Sequence, residues 1–110
     1  MSSATASSLV VLTNCPDEAT ANSIALAIVE EKLAACVNIL PRVTSVYRWQ
    51  GAVESAAEVP LLIKTTADRY AQLEQRITKL HPYETPEIIA LPIERGLPAY
   101  LAWIADSVQP

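Results

Sequence analysis

The sequence is poor in the residues that carry most enzyme chemistry: of 110 residues one is histidine, two are cysteine and two are glycine. Gly51 and Gly96 stand far apart, so no glycine-rich loop exists to cradle a phosphate. Cys15 and Cys36 are too few for a disulfide framework, and both are expected to be reduced. The eight Lys and Arg residues are scattered and the formal charge is −4, which leaves no basic stripe for phosphates or anionic lipid. Nucleic acid and membrane are therefore excluded as expected partners. Residues 1–8 are Ser, Ala and Thr after Met1, with no basic start and no apolar run of signal length, and read as a disordered tail of a cytoplasmic protein.

What is present is apolar. At 51% hydrophobic and 18% charged residues, the chain can bury a core, and at this length folding removes roughly two-thirds of the unfolded surface from water. One domain over residues 9–110 is expected. The low charge also points to an oligomer, because a monomer of this size has few ways to hide so much apolar surface.

Leu9-Val10-Val11-Leu12 is a short continuous apolar run, closed by Asn14-Cys15-Pro16-Asp17, and predicts a buried strand leading into a helix. Between Asp17 and Leu33, Ala21, Ile24, Ala25 and Ile28 share one helical face. Residues 36–50 alternate as β after Pro41, which cannot donate to a ladder and needs a bulge or an edge position; Gln50-Gly51 turns the chain, and 52–65 returns as a second long strand with Pro60 marking another edge or bulge. Tyr70, Leu73, Ile77 and Leu80 form a helical stripe that Pro82 stops. A strand over 88–93 follows, then a closing helix opened by Pro98 and carrying Leu97, Leu101, Ile104 and Val108 inward.

The order β-α-β-β-α-β plus a terminal helix predicts an α/β (α+β) domain: a ferredoxin-like, split β-α-β sandwich with an extra C-terminal helix. A strand as long as 36–50 would extend about 50 Å, against a radius of gyration near 13 Å for a globule of this size. The hairpin must protrude. Its tip carries Val46, Tyr47 and Trp49, and another copy of the chain is the expected cover.

The residues resemble a known family. Pro16-Asp17-Glu18-Ala19-Thr20-Ala21, Leu33-Ala34-Ala35-Cys36-Val37-Asn38, Tyr47-Arg48-Trp49-Gln50-Gly51, Leu62-Ile63-Lys64-Thr65 and His81-Pro82-Tyr83-Glu84-Thr85-Pro86-Glu87 are similar, in order and spacing, to the CutA divalent-cation-tolerance proteins. The resemblance implies a homotrimer with a fold like that of the PII signalling proteins, hairpins that reach across subunits, and a role in metal tolerance or small-ligand sensing. Some relatives have Cys where this chain has Thr13 and His where it has Leu80, which implies weaker copper binding here.

Three groups of residues can carry a function. The chain directions bring Cys15 and His81 to the same end of the sheet, a soft pair for copper or zinc to which Asn14 or Glu84 can add oxygen. Against this, Cys15 can be a small strand-end residue and His81 a cap on helical carbonyls. Cys36 and Lys64 pair at the opposite end. With Trp49 from a neighbour's hairpin and Glu87 as counter-charge, they describe a site for a small anionic molecule, or else a structural ion pair and an interface anchor. His81-Pro82-Tyr83-Glu84-Thr85-Pro86-Glu87 is either a stiff connection or a rigid rim that presents Tyr83, Glu84 and Glu87 to a cleft.

No enzyme activity is expected, since no catalytic triad is available and a Cys36–His81 dyad would have to form across a trimer interface. The chain reads as a homotrimeric binding protein for a metal ion or a small anion. The alternatives are a PII-like sensor and a scaffold with no role in metal handling.

Overall fold

The computed structural model describes residues 7–110. The first six residues of the expected tail lie outside the described residues. Ser7 and Ser8, also expected in the tail, belong to the body instead: the Ser7 carbonyl accepts from Ala67 N–H at 2.8 Å and that of Ser8 from Ile93 N–H at 2.9 Å.

The strands are β1 (Ser8–Cys15), β2 (Cys36–Ile39), β3 (Val43–Trp49), β4 (Ala52–Thr66) and β5 (Ile88–Pro92), and the helices are α1 (Glu18–Glu30), α2 (Tyr70–Leu80) and α3 (Pro98–Ser107). One antiparallel sheet runs in the order β2-β4-β1-β5, with β3 paired to the far half of β4. That is the split β-α-β arrangement expected from the sequence.

The long strand expected over 36–50 is two strands. Pro41 has no N–H to donate, so the ladder breaks around Leu40, Pro41 and Arg42, and β2 and β3 pair with successive stretches of β4. Pro60 sits opposite that gap, where no donor is needed, and its carbonyl accepts from Leu40 N–H at 2.9 Å. Gln50 and Gly51 take positive φ of 49° and 82°, the geometry of a tight hairpin turn matched to strand twist.

Asp17 caps α1 by accepting from Thr20 N–H at 2.8 Å. Ala21, Ile24, Ala25 and Ile28 are the residues it buries. Ala21, Ile24 and Ile28, with Leu73 and Ile77 of α2, pack on Val11, Cys15, Val59, Leu61 and Ile63 of β1 and β4. Tyr70 and Leu80 stay partly buried at the margin. The Asp68 region enters α2 through a 3-10 turn over Ala67–Arg69.

The opposite face of the sheet is covered only at one end. There α3 buries Ile104 and Val108 against Ala35. Leu97, expected inside, is 70% exposed because it stands at the N-cap of α3, before the buried stripe begins. The rest of this face is open. The molecule measures 50 × 25 × 23 Å, its long axis set by the β3–β4 hairpin. Among the described residues no helix is long and apolar enough to cross a membrane.

Candidate functional site

The chain before Pro82 is pushed out of the helical region, so α2 ends and His81 turns extended with φ −80° and ψ 136°. This swings the imidazole under the end of β1. Tyr83 N–H donates to His81 Nδ1 at 3.1 Å, so Nδ1 is unprotonated and Nε2 carries the hydrogen that it donates to the Asn14 carbonyl at 2.6 Å. Two further bonds fix the connection. Tyr83 hydroxyl donates to Glu58 Oε2 at 3.2 Å, and Asn14 Nδ2 donates to Glu87 Oε1 at 3.3 Å. Partial burial, then the nearby Glu58 carboxylate, pushes the Tyr83 phenol above its ordinary range.

The hairpin supplies the facing wall. Ser45, Tyr47 and Trp49 pair with Ala56, Glu54 and Ala52, and Asn14 pairs with Pro60, which places all of them on the open face of the sheet. Between hairpin and connection lies a cleft of about 750 Å³. Its aromatic lining is Tyr47, Trp49 and Tyr83; its carboxylates are Glu54, Glu58, Glu84 and Glu87. Asn14, Ser45, Val46 and Thr85 complete it, and no Lys, Arg or His is among the described residues that line it. Its field therefore favours cations.

His81 does meet the end of β1 that holds Cys15, but neither group is free. Cys15 is fully buried in the core, and burial first, then Asp17 and Glu58, push its thiol up to about 11. At neutral pH it is a thiol, whereas soft metals are held by thiolate. Both His81 nitrogens already have partners. Among the described residues no three His, Cys, Asp or Glu side chains are grouped to hold a metal ion. The described residues of a single chain thus hold no preformed inner coordination sphere.

The Cys36 group lies at the other end of this sheet face, beside α3. Cys36 pairs with Lys64, Lys64 Nζ donates to Asn38 Oδ1, and Cys36 Sγ lies 3.7 Å from the Tyr100 hydroxyl. Lys64 lies six positions along β4 from Glu58, about 20 Å of strand. Within one chain Trp49 and Glu87 line the cleft with Tyr83 and Glu84; the Trp49 expected beside Lys64 is that of a neighbouring copy. The sequence reading missed Tyr47, Glu54 and Glu58. The signal was there: counting both ways from Gln50-Gly51 puts Tyr47 and Trp49 opposite Glu54 and Ala52 on one face.

Comparison with known proteins gives one family. The profile described as CutA1 divalent ion tolerance protein matches residues 9–107. The divalent-cation tolerance protein CutA of Thermus thermophilus is 52% identical over 98 residues, covering 89% of this chain and 95% of the relative. A protein of the same name from Escherichia coli O139:H28 is 41% identical, covering 97% and 96%. The solved structure of CutA1 from Oryza sativa superposes with a TM-score of 0.93 at 42% identity, covering 97% of this chain and 98% of that one. For the Thermus thermophilus structure the TM-score is 0.91 at 50% identity, covering 93% and 99%.

Proposed function

The chain belongs to the CutA1 divalent ion tolerance family, and on that premise we propose that it is a non-catalytic, homotrimeric cation-binding protein that holds its ligand in the cleft between hairpin and connection. The observation that carries this reading is the lining of the cleft by Glu54, Glu58, Glu84 and Glu87 with no basic side chain among them. Carboxylates gathered around a concavity concentrate cations by field as well as by contact. Because no three-donor set exists among the described residues, a divalent ion would be held through its own waters or shared with a neighbouring subunit.

A binding role fits the chemistry better than catalysis. The one histidine has both nitrogens engaged, and Cys15 is buried and protonated. Cys36 stands at the opposite end of the sheet from His81, so these two do not meet as nucleophile and base within a chain. The names of the relatives, which state tolerance of divalent cations, support a role in metal handling.

Calorimetric titration with Cu(II), Zn(II) and Mg(II) tests the proposal. Glu58→Gln/Glu84→Gln/Glu87→Gln is expected to weaken cation binding at least tenfold, about 1.4 kcal/mol. Unchanged binding in that variant sinks the cleft reading. A second reading, a sensor of small anions, is favoured by Lys64, Asn38, Cys36 and Tyr100 meeting at the α3 end of the sheet. It requires an anion whose binding is lost in Lys64→Ala.

A further inference from the structure

Counted along the chain the basic residues are scattered, but the helical layer gathers three of the eight at one groove. Arg69, Gln72, Arg76 and Lys79 are spaced by three, four and three, so they share one side of α2 and of the turn that enters it. That side lies next to the buried stripe of Leu73 and Ile77. With Glu31 and Leu33, just past α1, it bounds a cavity of about 370 Å³, at the lower end of the range for ligand pockets. Among the described residues its lining comes from the helical layer and none of it from the sheet. Because α1 and α2 pack on the other side of the sheet from the open face, a copy that covers that face leaves this groove accessible.

The charges in the groove are unbalanced. Arg69 Nε donates to the Lys32 carbonyl at 3.4 Å, and Nη1 donates to Gln72 Oε1 at 2.6 Å. Both acceptors are neutral. A half-buried guanidinium is thus held in a fixed pose with no carboxylate beside it, although the chain has twelve acidic residues. Lys79 makes no ion pair among the described residues. Only Arg76 is paired, its Nε and Nη2 each donating to Glu31 at 2.9 Å. With the two partners 36% and 41% exposed, this is a surface bridge that contributes little, so an incoming anion displaces Glu31 at small cost.

Guanidinium meets a phosphate with two parallel N–H donors, and an ammonium on a flexible stem adds a point charge. At 1.5 Å per residue, Arg69 stands about 10 Å before Arg76 and Lys79 about 5 Å beyond it, a spread that a chain of phosphates covers better than one group. We propose that the groove between α2 and the end of α1 binds the oligophosphate chain of a soluble anion, free or carried on a nucleotide. Arg69 and Lys79 anchor the chain, and Arg76 joins them when Glu31 is displaced. The site is separate from the acidic cleft and does not depend on it.

Calorimetry of the full-length protein tests this with tripolyphosphate, ATP, orthophosphate, adenosine and a hexaglutamate peptide. EDTA is present and ionic strength is fixed, so that no metal bridges the ligand to the cleft. Saturable binding is expected with tripolyphosphate and ATP, and none with adenosine. Lys79→Glu and Arg69→Gln/Lys79→Gln are each expected to weaken tripolyphosphate binding by about tenfold or more. Lys79 is exposed and has no ion pair to lose, so thermal melts should show Lys79→Glu folded whatever becomes of the double variant. Glu31→Gln is expected to tighten binding by about threefold, because it frees Arg76. A loss of structure would move affinity the other way.

No saturable binding of tripolyphosphate or ATP overturns the proposal, and so does binding that both variants leave unchanged. Orthophosphate binding as tightly as tripolyphosphate overturns the oligophosphate class. A hexaglutamate peptide that binds as tightly makes the groove a port for acidic polypeptide and overturns it too. Binding lost in Lys64→Ala but kept in Lys79→Glu moves the site to the α3 end of the sheet, with the same consequence. Two results support the proposal and separate its sources. If ATP and tripolyphosphate bind alike and both need Lys79, the phosphate chain suffices; if ATP alone binds and Lys79→Glu weakens it, the chain is read on a nucleotide.

Discussion

His81 Nε2 donates to the carbonyl of Asn14 across 2.6 Å, a contact between residues 67 positions apart that ties the end of α2 to the end of β1. The histidine is 6% exposed, so its loss leaves that carbonyl without its side-chain donor in a dry setting.

His81→Ala is expected to lower unfolding free energy by about 1–3 kcal/mol, the cost of stranding buried polar groups. Urea denaturation checks it. A loss below about 0.5 kcal/mol would mean that water replaces the imidazole freely, and that the connection is not strapped by this residue.

Cys15 links stability to alkaline pH. Burial raises its thiol from 9.0 to about 11 in the folded protein, so the folded state favours the neutral form. Below pH 9 both states are protonated and the contribution is fully present; it is lost as pH rises from about 9 to about 11, where the unfolded thiol ionises first. Cys15→Ala should flatten that part of the stability curve. Chemical denaturation of both proteins from pH 8 to 11 reads the difference, and identical slopes would refute the assignment.

Thr13 offers the opposite test, of a group with no partner. Its Oγ1 is buried and makes no hydrogen bond among the described residues, on a side chain that faces the helical core beside Val11 and Cys15. Thr13→Val keeps the shape and removes the unpaired hydroxyl. It is expected to raise unfolding free energy by about 1 kcal/mol, seen as a higher urea midpoint at unchanged slope. Destabilisation would show that the hydroxyl is satisfied in solution.

Most of the fold was legible because its signals are local. The α1 stripe of Ala21, Ile24, Ala25 and Ile28 is buried as its spacing predicts, and Pro82 ends α2 at Leu80. What failed depended on end effects or on pairing partners. Leu97 has the spacing of a core residue, but it lies at the N-cap, where the backbone is not yet helical. The candidate site was half legible. Chain direction put His81 beside the end of β1, yet the grouping of Trp49 and Glu87 with the connection depends on which way a 15-residue strand carries the hairpin over the sheet. Residue spacing alone does not encode that curvature.

The hairpin also bears on assembly. The Cα radius of gyration is 14.8 Å, against about 13 Å for a compact chain of this length, and the excess lies along the hairpin. Val46 is 71% exposed and Val53 69%, and the pairing of Val46 with Ser55 and Arg48 with Val53 sets both on the face opposite Trp49. Exposed apolar residues on both faces of a projecting ribbon need a partner, and a ribbon of two strands is marginal alone. The wild type should therefore sediment at three times the 11.9 kDa chain mass. Val46→Glu/Val53→Glu should shift it towards monomer at micromolar concentration, with far-UV circular dichroism preserved because neither side chain is packed within its own chain. A wild type that sediments as a single chain would remove the reason for expecting a homotrimer, and an unshifted double variant would place the contact on another surface.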